Sequence, residues 1–280
     1  MPNAADPIPA ITESAARGEI REIYQDIKAV TGVDVVNLVW RRLAVTKGAL
    51  PAVWAMLRPA YVSGQVATQA QEFRRQLHPP QLAMLPTSVL TAAGVDRLGH
   101  ITIRAILDSY NHTNAINLIG LRAVLARMDD DEGPSALHAS LAAATTQRPL
   151  PLLPPLPVMA TLDPHVRDLV EMLNAMCEQD GRIIASMYRH LAYWPGYLAL
   201  VCTLLAPVAA DGRMQTAIDQ AREQAATHAR GIAANLAPFD ASLERSAIDD
   251  IRFVLGLFTQ HPIAKMAAIC DALSCATPTP

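Results

Sequence analysis

The chain has 280 residues, 51 % of them hydrophobic, and a formal net charge of −3. That is apolar material for a sizeable core, in one large domain or two modest ones. Aromatic residues make up only 5 % and alanine is abundant, which favours closely packed helices over a β-sandwich. Basic residues are scattered without interleaved aromatics, which excludes a nucleic-acid-binding surface.

In chain order, Met1 to Arg17 lacks a basic stretch followed by an apolar one, so residues 1–18 read as a loose arm and not a signal peptide. From Glu19 a helical period begins. Ile20, Ile23, Tyr24, Ile27 and Val30 share one face, and Gly32 is the expected stop. A second apolar helix is expected around Val35–Ala44, with Asp34 as its N-cap. A third should end near Pro59, and a Gln/Ala/Arg-rich helix should cover 65–78. Asp96 is a candidate N-cap for a long helix over His100–Arg127.

Asp129–Glu132 is an acidic run. Pro149, Pro151, Pro154, Pro155, Pro157 and Pro164 then make a stiff, extended connector. The pattern afterwards repeats. Val166, Leu169, Val170, Leu173 and Cys177 take the spacing of the first helix, and helices follow around Ile183–Ala192, up to Pro207, over 213–236 and over Ile248–Leu273, the last with Ser242 as candidate cap. No stretch carries a strand's two-residue period.

The recurrence is literal. Arg41-x-Leu43-Ala44 returns as Arg189-x-Leu191-Ala192, Leu57-x-Pro59 as Leu205-x-Pro207, Gly64 as Gly212, Arg74-x-Gln76 as Arg222-x-Gln224, and Ile103-Arg104 as Ile251-Arg252, all 148 residues on (189 − 41 = 148). A gapless match of this length is a duplicated domain and not a short solenoid repeat. The expected organisation is an arm over 1–18, helical repeat 1 over 19–128, a linker over 129–164, helical repeat 2 over 165–275 and a tail over 276–280. The fold expected is all-α, two tandem halves packed as an intramolecular pseudo-dimer.

Several chemistries lack their residues. The four cysteines, Cys177, Cys202, Cys270 and Cys275, form no CxxC and no zinc spacing, and read as free thiols in a reducing cytoplasm. The eight histidines form no HxxH or HExxH, so no metal is expected. No GxSxG, GxGxxG or P-loop occurs. The longest uncharged run, between His190 and Asp211, is broken by Pro195, Gly196 and Pro207, and reads as a buried helix and not a membrane span. One polar cluster interrupts an apolar helix: Tyr110-Asn111-His112-Thr113-Asn114-x-x-Asn117. Its counterpart is Phe258-Thr259-Gln260-His261-Pro262-x-x-Lys265. The halves agree on either side and part here, which marks a specialised point; a solvent-facing turn or a buried asparagine is the alternative.

Three strings carry a family resemblance: Val36-x-Leu38-x-x-Arg41-x-Leu43-Ala44, Tyr110-Asn111-x-x-Asn114 and Ser186-x-Tyr188-Arg189-His190-Leu191-Ala192-Tyr193-Trp194-Pro195. Together with the duplication and the proline-rich connector, they make the chain resemble the DehI-type, or group I, 2-haloacid dehalogenases over nearly its whole length. That resemblance implies an all-helical pseudo-dimer, a homodimer in solution, no metal or organic cofactor, and a site between the halves. It implies hydrolysis of the carbon–halogen bond of short 2-haloacids by water that an aspartate activates. It places the water-positioning asparagine on Asn114, the serine beside the catalytic aspartate on Ser186, two aromatic pocket residues at Val35 and Leu38, and a pocket tyrosine at Thr259. The catalytic aspartate itself falls on Met187, which cannot take a proton from water.

Two readings follow. In the first the chain is a dehalogenase-like hydrolase of a small carboxylic acid, with Asn114 holding the water and Asp34, or less favourably Asp180, as substitute base. In the second it is a non-catalytic relative whose cleft, apolar through Val35, Leu38 and Met187, binds an apolar small molecule or serves as a scaffold. The first half also faintly resembles the AhpD-like helical superfamily, whose thiol chemistry needs a CxxC that this chain lacks.

Overall fold

A computed structural model describes residues 8–129, 152–177, 183–239 and 243–280. Among the described residues it is all-α. The first half contributes α1 (Gly18–Thr31), α2 (Leu38–Leu43), α3 (Ala49–Val62), α4 (Gln65–Gln76), α5 (Thr87–Ala92) and α6 (Arg97–Asp129). After a short 3₁₀ turn at Met159–Thr161 come α7 (Pro164–Ala175), α8 (Ser186–Leu191), α9 (Pro195–Ala210), α10 (Arg213–Ala233), α11 (Arg245–Gln260) and α12 (Pro262–Ala276).

The local chemistry of the sequence sets most of these bounds. Tyr24 and Ile27 bury the predicted face of α1, and Gly32 ends it in the left-handed region at φ 70°, where a side chain is strained. Asp96 Oδ1 accepts the Gly99 N–H at 2.7 Å and so caps α6. Gly64 and Gly212 both take φ near 80° immediately before α4 and α10. Ser242, Asp180 and residues 130–151 of the linker lie outside the described residues.

Four expectations need correcting. α2 starts at Leu38 after Asn37, so Asp34 caps nothing and lies in the connection from α1. α3 and α9 run on past Pro59 and Pro207 to Val62 and Ala210, because a proline near a helix end removes only one backbone bond. α5 (Thr87–Ala92) was not foreseen in the sequence, and among the described residues its equivalent positions in the second half, 235–239, are not helical. The helix expected over Ile248–Leu273 is two helices, broken at His261, whose φ −113° and ψ −92° lie outside the helical region. Pro262 is the cause: it has no N–H to donate and starts the new helix at its first position.

The elements of the halves stand in register at the repeat's own offset. α2 and α8 start at 38 and 186, α4 and α10 at 65 and 213, and α6 and α11 at 97 and 245, each 148 apart. Among the described residues there are two apolar cores, and each is completed by the opposite half. Ile251, Val254, Leu255 and Phe258 of α11 join the core built on α1 to α4. Their counterparts Ile103, Ile106 and Leu107 of α6 join the core built on α7 to α9. This exchange removes from water the apolar face that either half alone would expose.

A polar clamp fixes it. Arg42 on α2 gives two hydrogen bonds to Asp250 on α11, at 2.7 and 3.2 Å, and Thr46 gives a third at 2.5 Å. Burial pushes the Asp250 carboxyl up, but these bonds outweigh it and hold it below its ordinary range. Asp250→Ala is expected to lower the unfolding free energy by about 2 kcal/mol. Urea denaturation measures this, and an unchanged midpoint contradicts the clamp. The α11–α12 stretch is long and apolar enough to cross a membrane, but 72 % of its most apolar window is buried inside the fold, as in a core helix.

Candidate functional site

The break at His261–Pro262 falls where the halves diverge in sequence, beside a cleft that Pro262 lines. α6 passes this point unbroken and brings Tyr110, Asn114 and Asn117 to one side. The ends of α11 and α12 bring Phe258, Pro262 and Ile263 to the other, and the start of α8 brings Ser186 and Met187. Between them is a cleft of about 520 Å³, its open mouth included. One wall carries amides and hydroxyls. The rest of the lining is apolar, through Leu38, Phe258, Ile263, Met266 and Met187.

Each polar group has a defined setting. Asn117 Oδ1 accepts the Trp40 indole N–H at 3.0 Å, which fixes that amide. Asn114 Nδ2 donates to Cys270 Sγ at 3.4 Å, and the Cys270 thiol donates to Met187 Sδ at 3.2 Å. Full burial pushes the Cys270 thiol well above its ordinary range, a shift that the Asn114 bond opposes, so it stays a neutral thiol. Met187 is only 1 % exposed, and its thioether ends a chain of soft, weak bonds. None of the described side chains lining this cleft is a carboxylate.

Tyr110 and His190 form a second fixed pair. The Tyr110 hydroxyl is 2.8 Å from His190 Nδ1, and His190 Nε2 is 3.0 Å from the Pro154 carbonyl oxygen. A carbonyl only accepts, so Nε2 carries the proton and Nδ1 accepts from Tyr110. Burial pushes the Tyr110 phenol up, against a lowering bond from Ser186. Burial also pushes His190 down from 6.5 to about 4, so it is a neutral anchor at pH 7. Between those two values the unfolded chain holds a proton that the folded one refuses. The stability present above pH 6.5 is therefore lost as pH falls toward 4, about 3 kcal/mol in all. In His190→Gln the urea midpoint should fall less steeply between pH 6.5 and 4.5 than in the unchanged protein. Equal slopes would remove His190 as the source.

A neighbouring chamber of about 470 Å³ shares Asn37, Leu38, Tyr110 and Ser186 with the first. Asp34, Val35 and Arg41 line it from the first half, with Ser109 and Thr113. The structure thus brings Leu38, Asn114, Ser186 and Met187 together in the first cleft, and places Asp34 and Val35 in the adjoining chamber. Asp34 and Val35 are exposed, Val35 to 37 %. Thr259 lines neither space. It is 1 % exposed and donates to the Leu255 carbonyl oxygen within its own helix, while the adjacent Phe258 faces the cleft. Successive helical residues point about 100° apart, so an alignment error of one residue exchanges a wall residue for a buried one. The sequence reading missed Asn37, Phe258, Met266 and Cys270. Phe258 is the counterpart of Tyr110 in the stretch where the halves diverge, which pointed to it, but nothing in the sequence pointed to the thiol bridge.

Among the described residues the chain is all-helical, each half contributes to the other's core, and a cleft lies where they meet. No family model matches the chain. It is 28 % identical over 269 residues to a configuration-inverting 2-haloacid dehalogenase of Alcaligenes xylosoxydans xylosoxydans, covering 93 % of this chain and 86 % of that one. It is 25 % identical over 232 residues to a configuration-inverting 2-haloacid dehalogenase of Pseudomonas sp. (strain 113), covering 80 % and 75 %. It is 24 % identical over 266 residues to an (R)-2-haloacid dehalogenase of Pseudomonas putida, covering 89 % and 86 %. The solved structure of a D-2-haloacid dehalogenase with L-LA shares the fold at a TM-score of 0.74 and 20 % identity, over 98 % of this chain and 96 % of that one. A mutant of a D-2-haloacid dehalogenase with D-2-CPA superposes at a TM-score of 0.72 and 20 % identity, over the same shares. The resemblance to the DehI-type 2-haloacid dehalogenases is upheld, and the fold is the all-α fold it implied.

Proposed function

We propose that the chain is a 2-haloacid dehalogenase-like protein whose cleft binds a small carboxylic acid or apolar molecule without hydrolysing it. One observation carries this reading. The position on which the resemblance puts the water-activating aspartate is Met187, buried and bonded through sulfur to Cys270. Displacing halide from an sp³ carbon by water needs a base within hydrogen-bond reach of that water. A thioether is no base, and the Cys270 thiol is held neutral. His190 is protonated only near pH 4 and already accepts from Tyr110. The cleft keeps what binding needs: an apolar wall, fixed amides and a hydroxyl.

The hydrolase reading is favoured by the relatives, which are dehalogenases, and by Asn114, which lines the cleft. In that reading the base is Asp34, which lines the adjoining chamber, or Asp180, which lies outside the described residues. Chloride release from D- and L-2-chloropropionate separates the two. The binding reading expects ligand-induced stabilisation without release. Release that disappears in Asn114→Ala, together with Asp34→Asn or Asp180→Asn, supports the hydrolase and names its base.

A further inference from the structure

The duplication supplies a comparison that sequence identity hides. Arg41 and Arg189 are counterparts, 148 residues apart, and each lies near the middle of its short helix. Arg189 is tied down: its Nε and Nη2 donate to the Pro157 carbonyl oxygen at 3.0 and 2.7 Å. Arg41 donates only through Nε, to the Val36 carbonyl oxygen at 3.1 Å. Among the described residues no carboxylate pairs with it, and its terminal nitrogens have no protein partner and are not sealed from the chamber. The hydroxyl residues Ser109, Thr113, Tyr110 and Ser186 line the same space. Arg41 is close enough for its charge to act on Tyr110 across the chamber and on Tyr24 behind it. A free guanidinium fork among hydroxyl donors suits a carboxylate. Asp34 also lines the chamber, but it is exposed while Arg41 is half-buried, so water screens Asp34 more than Arg41.

We infer that the two spaces form one bipartite site for an amphipathic carboxylic acid, the carboxylate on Arg41 and an apolar chain past Tyr110 and Ser186 into the cleft beside Met187. The inference rests on the reading of the cleft as a binding site and adds to it the ligand's charge, length and direction. A two- or three-carbon acid fills one space only. A medium-chain acid fills both, and it gains roughly 0.8 kcal/mol for each methylene removed from water.

Calorimetric titration with hexanoate and with hexanamide, its neutral counterpart of nearly the same shape, tests this on the intact protein. Hexanoate is expected to bind at least tenfold more tightly than hexanamide. In Arg41→Gln hexanoate should weaken at least tenfold while hexanamide is unchanged, and Arg41→Lys should restore part of the loss. The comparison of the two ligands on the unchanged protein stands even if the variants do not fold. If both bind equally and Arg41→Gln alters neither, the cleft remains a binding site and the assignment of Arg41 falls. If neither binds, the reading of the cleft fails for this ligand class and takes the inference with it.

Discussion

Met187→Asp is expected to give chloride release from 2-chloropropionate at least 100-fold above that of the unchanged protein, because positioned general-base catalysis contributes about 10²- to 10⁴-fold. The surroundings of the new carboxylate set this expectation. Position 187 lines the cleft, so the new carboxylate stands beside the space a substrate would take. Cys270 Sγ, now 3.2 Å from the methionine sulfur, is itself bonded to Asn114 Nδ2. A shorter side chain at 187 frees the space between them for a water that Asn114 and the new carboxylate share. The change also has a stability cost. Methionine is 1 % exposed here, and a carboxylate in its place loses most of its hydration, with an expected loss of about 3 kcal/mol. Ion-selective measurement of chloride with each enantiomer checks the gain. A folded Met187→Asp variant that releases no chloride means the site lacks more than a base.

The largest effect on stability is expected at Gly196, near the start of α9. A Cβ there would drive into the backbone carbonyl of Ala93, just past the end of α5, well inside van der Waals contact. Backbone cannot rotate away as a side chain can, so α9 and α5 must separate. Gly196→Ala is therefore expected to destabilise by more than about 3 kcal/mol, like other overpacking changes at their upper end. A urea midpoint within error of the unchanged protein excludes the close approach. Its counterpart Gly48 has a different reason to be glycine, a φ of 80° before α3. One repeated glycine thus answers to steric contact in one half and to backbone conformation in the other.

The fold was legible wherever local chemistry sets it. The apolar period of α1, its glycine stop, the Asp96 cap and the 148-residue register all reappear in the structure. Which core each helix completes was not legible. The apolar face of α11 reads the same whether it packs on its own half or on the other, and only tertiary contact shows that Ile251 and Leu255 join the core of the first half. The site was legible where the halves part. Asn114, Met187 and Pro262 line one cleft. Residue-level placement failed where it depended on a helix phase, as for Thr259 and Phe258, or on a loop path, as for Asp34. The bridge from Asn114 through Cys270 to Met187 joins residues 156 and 83 apart in sequence, beyond any spacing rule.

The cleft is proposed to bind its ligand without hydrolysing it. Chloride release by the unchanged, folded protein from D- and from L-2-chloropropionate tests it most directly. The expected result is no release above buffer with either enantiomer over a period in which Met187→Asp releases chloride steadily. Sustained release by the unchanged protein, abolished in Asn114→Ala, would contradict it.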